Sequence, residues 1–262
     1  MADFLDTLII DAFETVRSGY YNVETENTLA RLSLKEAIAR CRYAPIIAEI
    51  KPASPSIGRL RHISSPVEVA KAMEAGGATG ISVLTEPKHF DGSLPMLAHV
   101  KKHVSLPVIM KDIIVDPIQI EAAAGIGADA ILLIYRVFEK TSLEHSLEDF
   151  IQLAHSCGLE VLLETHTREE FAAAVRTEAD LVGINNRNLR TLKVNLNTTR
   201  AILSSQDCCG KVVVSESGIR TAEDIRLLRS YGAEAFLVGS AIMAAENIEE
   251  KVKELVAAYE KG

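Results

Sequence analysis

Eight short apolar runs recur along the chain and predict eight buried parallel strands. The runs are almost continuously aliphatic or β-branched, as expected for strands that are buried on both faces. They are Ile46–Lys51, Gly80–Thr85, Val108–Asp112, Ala130–Tyr135, Val161–Glu164, Leu181–Asn185, Val212–Glu216 and Ala235–Gly239. Amphipathic segments separate them, and successive runs begin 20 to 34 residues apart. That spacing accommodates one crossover helix with its loops.

Helix-boundary signals recur between these runs. A Ser or Thr followed three residues later by an acidic residue is typical of a helix start. This spacing occurs at Ser65–Glu68, Thr141–Glu144, Thr167–Glu170 and Thr221–Asp224. A Gly-Ala pair, suited to a helix end, precedes three of the strands, at Gly77, Gly127 and Gly232. The repeated turn indicates a repeated β/α unit.

Eight β/α units, ending in a helix predicted at Glu246–Tyr259, favour a (β/α)8 TIM barrel. The alternative is a doubly wound open sheet, which usually has fewer strands and often carries a GxGxxG turn that this sequence lacks. Residues 1–45 precede the first strand. Apolar residues at helical spacing (Phe4, Leu8 and Phe13 among them) and a second helix start near Leu34 predict a helical N-terminal cap. We therefore expect residues 1–262 to form a single barrel domain.

Composition and charge narrow the class of protein. The chain has 262 residues, is 48% hydrophobic and carries a net charge of -8, which argues against disorder and against nucleic-acid or membrane-surface binding. The start lacks a basic segment, and no apolar run reaches the roughly 18 residues of a membrane span. Cys41, Cys157, Cys208 and Cys209 form no CxxC pair. Reduced thiols in a cytoplasmic protein are the simplest interpretation.

Polar side chains end several of the apolar strands. Active-site residues of such barrels lie at these carboxyl ends. Glu49 and Lys51 share one face of the first strand, and Lys111 and Glu164 end two others. A single charged residue there is commonly solvated or in a simple ion pair. Four converging on one mouth favour proton-transfer chemistry. For Glu216 and Asp112, at two further strand ends, the functional and structural interpretations are evenly balanced.

The last two strands indicate an anionic ligand. Ser217-Gly218 and Gly239-Ser240 follow them, where barrels of this type bind phosphate, and a short helix is predicted at Ala241–Ala245. Glycine allows close backbone approach to a ligand. Either motif alone could simply form a tight turn.

The segment at 46–56, IIAEIKPASPS, resembles the signature of the indole-3-glycerol phosphate synthases, the barrel enzymes of tryptophan biosynthesis. The resemblance continues in order along essentially the whole chain. It passes through Leu84–Glu86 with Phe90–Ser93, Pro107–Asp112, Glu160–His166, Gly183–Leu189, Ser215–Ile219 and Val238–Ser240. The Glu-x-Lys-x-x-Ser-Pro-Ser segment is highly specific, whereas many barrels share the phosphate loops.

The resemblance implies a carbon–carbon lyase, a decarboxylase that needs no cofactor and no metal. Such an enzyme converts 1-(2-carboxyphenylamino)-1-deoxyribulose 5-phosphate into indole-3-glycerol phosphate. Ring closure, loss of CO2 and loss of water make up the reaction. The partner is then a small anthranilate-derived sugar phosphate, and we expect a monomer or a weak homo-oligomer without nucleic-acid or membrane partners.

The resemblance also implies roles for individual residues. Lys111 would be the general acid on the ketone, and Glu164 the base of the later dehydration. Glu49 and Lys51 would form a coupled pair, in which Lys51 either contacts the substrate carboxylate or donates a proton in dehydration. The implied substrate-binding residues are Ser54, Phe90, Asn185, Arg187, Glu216 and Ser217. The implied phosphate-binding residues are Ser54, Gly218, Gly239 and Ser240.

The anthranilate ring needs an apolar wall, for which Leu84, Phe90, Leu132 and Leu133 are candidates. The sequence departs from the family at Pro52 and Ile57, where many members carry basic residues. These departures put in question an extra cation beside the phosphate.

Two other functions remain open from the sequence. One is a related phosphate-binding barrel, such as a sugar-phosphate isomerase or an aldolase. The other is a barrel that has lost catalysis and only binds a partner. The presence of both Lys111 and Glu164 disfavours the latter.

Overall fold

Eight parallel strands close into a barrel in the computed structural model, which describes residues 3–24, 30–54, 58–141 and 143–260. The ten strands of these residues are β1 (Ile46–Ile50), β2 (Ala53–Ser54), β3 (Gly58–Arg59), β4 (Gly80–Leu84), β5 (Val108–Lys111), β6 (Ala130–Ile134), β7 (Glu160–Thr165), β8 (Leu181–Asn185), β9 (Val212–Glu216) and β10 (Ala235–Val238). β1 pairs with β4 on one side and with β10 on the other, which closes the ring. β2 and β3 form a small antiparallel hairpin. The predicted TIM barrel is confirmed.

Helices follow the strands in alternation, as predicted. Within the described residues they are α1 (Phe4–Arg17), α2 (Leu34–Arg40), α3 (Pro66–Ala75), α4 (Leu94–Lys101), α5 (Pro117–Gly125), α6 (Tyr135–Lys140), α7 (Leu147–Ser156), α8 (Arg168–Ala174), α9 (Asn197–Leu203), α10 (Ala222–Ser230), α11 (Ser240–Met243) and α12 (Ile248–Val256). None of them is long and apolar enough to cross a bilayer. Ser65, Thr167 and Thr221 cap α3, α8 and α10 as expected.

Alternate residues of each strand face two different cores. Ile47, Ile109 and Leu132 belong to the inner core of the barrel, whereas their neighbours Ala48 and Met110 pack in the layer between strands and helices. Both faces therefore exclude water, which explains the continuous apolar runs in the sequence. A charged side chain in phase with the inner core therefore has to lie near an end of the barrel.

The N-terminal extension covers both ends of the barrel. At the carboxyl end, Asp11 of α1 lies 2.7 Å from His89 in the loop after β4. At the opposite end, the backbone N–H of Leu34 in α2 donates to Glu160, the first residue of β7, at 2.7 Å. The helical extension is thus confirmed, as two caps at opposite ends. The assignment of residues 1–262 to one domain stays a prediction.

Two local predictions are wrong. Tyr135 starts α6 instead of ending a strand, so Thr141 follows the end of this helix, where its hydroxyl donates to the carbonyl of Val137 at 2.6 Å. The next helix, α7, begins at Leu147 with Ser146 as its cap. The prediction that Thr141–Glu144 starts a helix is therefore wrong, because these residues follow the end of α6 and precede the start of α7. The signature residues at 55–57 and Ser142 lie outside the described residues.

A buried ion pair at the amino end of the barrel gives a stability prediction. Lys101 lies 2.6 Å from Asp129, both side chains are nearly inaccessible, and Asp129 also accepts the N–H of Val108 at 2.7 Å. Asp129→Ala leaves a buried ammonium unpaired, so we expect a loss of about 3–5 kcal/mol in the free energy of unfolding.

Urea unfolding measures this loss. Arg40→Ala is the matched control, because it breaks the exposed Arg40–Glu36 pair and should cost no more than about 1 kcal/mol. Equal unfolding free energies for the two variants would contradict the prediction.

Candidate active site

Three carboxylates surround the Lys111 ammonium at the carboxyl end of the barrel. The Nζ atom lies 2.9 Å from Oε2 of Glu216, 3.5 Å from Oε2 of Glu164 and 3.8 Å from Oε2 of Glu49. Lys51 lies 2.7 Å from the other oxygen of Glu49. The three carboxylates are almost fully buried. Four strands thus bring the predicted acid–base residues into one cluster.

Strand periodicity and two glycines allow this cluster to form. Each of the charged residues is in phase with an inward-facing apolar residue of its strand, as Lys111 is with Ile109. A Cβ at Gly183 would overlap Oε1 of Glu216, and one at Gly239 would overlap Oε1 of Glu49. A side chain at either position would therefore displace the carboxylate that the glycine faces.

The charges of Lys111 and Glu164 stabilise each other. Burial alone lowers the pKa of Lys111, but Glu216, Glu164 and Glu49 outweigh it and hold the pKa well above its usual range. Burial likewise raises the pKa of Glu164, but Lys111 and His166 outweigh it and hold that pKa far below its usual range. The ammonium of Lys111 and the carboxylate of Glu164 are therefore both charged at neutral pH.

Glu216 behaves differently from its neighbours. Burial raises the pKa of Glu216 to about 7 against the pull of Lys111, and the Glu164 carboxylate adds to the rise. Its Oε1 atom has no well-aligned hydrogen-bond partner among the described residues. For Glu49, by contrast, burial is outweighed by Lys51 and Lys111, which lower the pKa. Of the three carboxylates, Glu216 is therefore the one that takes up a proton most readily.

A cavity of about 990 Å³ opens above this cluster. Every predicted site residue lines it: Glu49, Lys51, Ser54, Phe90, Lys111, Glu164, Asn185, Arg187, Glu216, Ser217, Gly218, Gly239 and Ser240. The side chain of Asn185 accepts the backbone N–H of Arg187 at 3.0 Å, and the Arg187 guanidinium donates to the carbonyl of Leu192 at 2.9 Å. Residues from six strand ends and from the hairpin thus share one space.

One wall of the cavity is apolar. Leu84, Phe90 and Leu132 line it as predicted. Leu133 was wrongly assigned to it, because its side chain packs in the outer layer between strands and helices. Sequence reasoning missed Phe4 and Leu8 of α1, and Leu189 of the loop after β8. The helical spacing of residues 4–13 predicted the helix α1, but carried no signal for which strand ends it covers.

The opposite end of the cavity carries the predicted phosphate loops. Ser217 and Gly218 adopt left-handed backbone conformations, with φ of 66° and 87°, and a Cβ at Gly218 would overlap Val194. Gly239 leads directly into α11, which begins at Ser240. Ser54 is buried, and its hydroxyl has no hydrogen-bond partner among the described residues. Hydroxyl and backbone N–H groups are suited to an anion.

Asp112 also borders the cavity, but its carboxylate accepts hydrogen bonds from other parts of the chain. Its carboxylate accepts from the Tyr21 hydroxyl at 3.0 Å and from the Thr85 hydroxyl at 2.5 Å. The backbone N–H of Ile113 donates to the other oxygen at 2.8 Å. The structural interpretation of Asp112 is favoured, because these bonds tie Tyr21 of the N-terminal extension and Thr85, which follows β4, to the end of β5 beside Lys111.

Comparison with known proteins identifies the family. The family model of indole-3-glycerol phosphate synthase matches residues 11–255. The chain belongs to the indole-3-glycerol phosphate synthase family. An indole-3-glycerol phosphate synthase of Methanocaldococcus jannaschii is 43% identical over 230 residues, which cover 86% of this chain and 84% of that protein. The indole-3-glycerol phosphate synthase of a Geobacillus species is 41% identical over 227 residues, 86% of each chain.

Solved structures of other barrels share the fold of this indole-3-glycerol phosphate synthase family member. A thiamine phosphate pyrophosphorylase from Pyrococcus furiosus has a TM-score of 0.60 at 19% identity, covering 84% of this chain and 96% of that one. An N-acetylmannosamine-6-phosphate 2-epimerase from Clostridium perfringens has a TM-score of 0.60 at 16% identity, covering 82% and 93%. At such identities the likeness concerns the fold alone.

The raised pKa of Glu216 predicts a pH-dependent stability. The folded protein retains the Glu216 proton up to pH of about 7, whereas the unfolded chain releases it near its ordinary value of about 4.3. This group therefore stabilises the fold below pH of about 4.3, and its contribution is lost as the pH rises towards 7. The glutamine of Glu216→Gln does not titrate, so this variant does not lose stability in this way. Its free energy of unfolding relative to the wild type should therefore rise by up to about 3 kcal/mol between about pH 4.3 and about pH 7.

Urea unfolding between pH 4 and pH 8 measures this difference. Glu178→Gln, at an exposed position, is the control and should show a constant difference from the wild type. A constant difference for Glu216→Gln as well would contradict the location of the proton.

Proposed function

We propose that this protein is an indole-3-glycerol phosphate synthase that acts through the Lys111 cluster. The substrate is 1-(2-carboxyphenylamino)-1-deoxyribulose 5-phosphate, and ring closure, decarboxylation and dehydration yield indole-3-glycerol phosphate. The observation that carries the proposal is the Lys111 ammonium, charged at neutral pH and held by three carboxylates in a cavity that has one apolar wall and one end suited to an anion. Family membership supports the same reaction.

The cavity suits the shape and charge of this substrate. The aromatic ring would lie against Leu84, Phe90 and Leu132, and the phosphate against Gly218 and Ser240, which line opposite parts of the cavity. The protein carries a net charge of -8. A dianionic phosphate and a carboxylate are therefore attracted by local cations, namely Lys51, Lys111 and Arg187, and not by the protein as a whole.

Lys111 is the general acid of ring closure in this proposal. As the ring carbon attacks the ketone, negative charge develops on the ketone oxygen, and the Lys111 ammonium donates its proton there. Loss of CO2 then restores the aromatic ring. Because the surrounding carboxylates hold the pKa of Lys111 high, the residue starts each turnover protonated.

Glu164 is the base of the dehydration that follows. Its carboxylate is ionised and reaches the cavity from β7. It removes a proton from the new ring while the hydroxyl group leaves as water. Glu49 and Lys51 form the coupled pair beside them, with Lys51 as the proton donor to the hydroxyl or as the contact of the substrate carboxylate. Asn185, Arg187 and Glu216 orient these groups and the sugar hydroxyls.

The charge state of Lys111 also distinguishes this reaction from aldolase chemistry. A Schiff-base lysine must be a neutral amine to attack a carbonyl, whereas the three carboxylates keep Lys111 protonated. Borohydride should therefore trap no covalent adduct with the substrate.

We further propose that the protein works in the cytoplasm, as a monomer or weak homo-oligomer without nucleic-acid or membrane partners. The free cysteines of the described residues and the acidic net charge support this.

The direct test is to incubate the protein with the carboxyphenylamino-deoxyribulose phosphate and to follow indole fluorescence. Lys111→Ala removes the general acid, so we expect kcat to fall by about 10³-fold or more. Lys71→Ala, which removes an exposed helix charge, should leave kcat unchanged. No turnover by the folded wild type, or full activity of Lys111→Ala, would contradict the proposal.

Glu164→Gln separates the two halves of the reaction. A glutamine amide cannot accept a proton as a carboxylate does, so dehydration should lose more rate than decarboxylation. Release of labelled CO2 and formation of indole fluorescence, measured in parallel, should then differ by about tenfold or more. Glu121→Gln, at an exposed position on α5, is the control. Equal losses in both signals would contradict the role of Glu164 as the base of the dehydration.

A further inference from the structure

A buried histidine lies behind Glu164, outside the lining of the cavity. The side chain of His166 is only 5% exposed. Its Nε2 atom lies 3.2 Å from Oε1 of Glu164, and its Nδ1 atom lies 3.6 Å from Oε2 of Glu170 in α8. Neither nitrogen makes a well-aligned hydrogen bond within the described residues. Both contacts are therefore ion-pair contacts between the ring and a carboxylate.

A carboxylate on each side of the ring favours an imidazolium cation. A neutral imidazole has one N–H group, so its other nitrogen would direct a lone pair at an ionised carboxylate, which can only accept. Burial lowers the pKa of His166, but the contacts with Glu164 and Glu170 outweigh it and raise the pKa to about 9. His166 is thus charged at neutral pH.

Glu170 is held in place by two further contacts. Its Oε1 atom lies 3.1 Å from Nε of Arg136 in α6, and its Oε2 atom accepts the backbone N–H of His166 at 2.6 Å. The side chains therefore alternate in charge from the cavity outwards: Lys111, Glu164, His166, Glu170 and Arg136. Other titratable or polar groups also face this series: Glu49 and Glu216 contact Lys111, Asn185 lies next to Glu164, and Tyr135, whose pKa burial raises, lies near Glu170.

The alternation of charge distinguishes Glu164 from Glu216, two of the three carboxylates around Lys111. Glu164 has a cation at each oxygen, with Lys111 at Oε2 and His166 at Oε1. Glu216 has Lys111 at Oε2 alone. A proton shared by two neighbouring carboxylates resides on the one with less cationic stabilisation.

We propose that His166 is a positioning residue: held by Glu170 and Arg136, it keeps Glu164 ionised and assigns the proton of the cluster to Glu216. His166 does not contact the cavity and acts only through Glu164. The charge of His166 is a property of the protein that can be measured without substrate. The effect of His166 on dehydration rests on the proposed function. Two experiments separate these parts.

The first experiment needs no substrate. The protein is labelled with ¹⁵N-histidine, the His166 signals are assigned by their loss in His166→Gln, and the ring nitrogens are followed by NMR from pH 5 to pH 10. We expect His166 to stay doubly protonated at pH 8, well above the usual histidine pKa of about 6.5. Glu170→Gln should lower the midpoint by at least about one unit, because it removes one flanking charge.

His155→Gln is the matched control for the titration. His155 pairs with Asp180 at 3.0 Å, but its side chain is 38% exposed and the pair lies at the amino end of the barrel. The variant should leave the His166 midpoint unchanged. A His166 ring that is neutral at pH 8, or that does not respond to Glu170→Gln, would overturn the proposal.

The second experiment measures the pH dependence of kcat. In His166→Gln the pKa of Glu164 rises, so Glu164 is protonated more readily at low pH. The ratio of kcat between variant and wild type should then fall by about tenfold between pH 8.5 and pH 5.5, while KM changes by less than about twofold. Glu170→Gln, which keeps the ring, should give a smaller change in the same direction, and His155→Gln none.

A ratio that does not vary with pH, or a loss confined to KM, would assign His166 a merely structural role. If the wild type turns over no substrate, the proposed function fails. The NMR titration then still decides the charge state of His166. If His166→Gln does not fold, the His166 signals are assigned by elimination, with single substitutions of the other six histidines, and Glu170→Gln still tests the charge state.

Discussion

The rest of the site depends on the contact between one ammonium and three carboxylates inside a closed barrel. Each of these ions would cost several kcal/mol if it were buried alone. Lys111 therefore stabilises Glu49, Glu164 and Glu216, and they in turn keep Lys111 protonated. The small residues around the cluster follow from the same constraint, since Gly183 and Gly239 leave the room that two of the carboxylates occupy. The site is a single electrostatic unit, in which no member has an independent charge state.

The position of this unit explains how a protein of net charge -8 can hold an anionic substrate. The cluster and the apolar side chains Phe4 and Leu8 of α1 line the same cavity. Apolar walls lower the local dielectric, and charges then act more strongly at short range than the distant acidic surface does. The same walls leave less room for water around the reacting ring.

The sequence predicted the barrel and the charged cluster well, for identifiable reasons. Buried parallel strands are continuously apolar, so a charged residue such as Lys111 at a strand end stands out, and a period of two puts Glu49 and Lys51 on one face. The same period excludes Leu132 and Leu133 from facing inwards together, and Leu133 was the wrong choice.

Contacts between distant segments could not be predicted in this way. Phe4 reaches the cavity from an extension whose own pattern predicts only a helix. His166 is two residues after Glu164, which on a continued strand would direct it into the barrel. The strand ends at Thr165, however, and the ring turns towards α8. Because β7 ends at Thr165, His166 contacts Glu164 from outside the cavity and does not line the cavity itself.

The two caps of the N-terminal extension have a consequence for the order of folding. The extension is synthesised before the barrel, yet α2 docks through Glu160, 126 residues beyond Leu34, and Lys140 binds Asp6 across 134 residues. Contacts of such sequence separation form late, because the intervening chain must already be ordered. The helix α2 therefore cannot complete its docking until the first five barrel strands, β1 and β4 to β7, have been synthesised. A chain arrested before β7 would therefore lack the carboxylate that α2 binds at the amino end of the barrel, and its cavity would be incomplete.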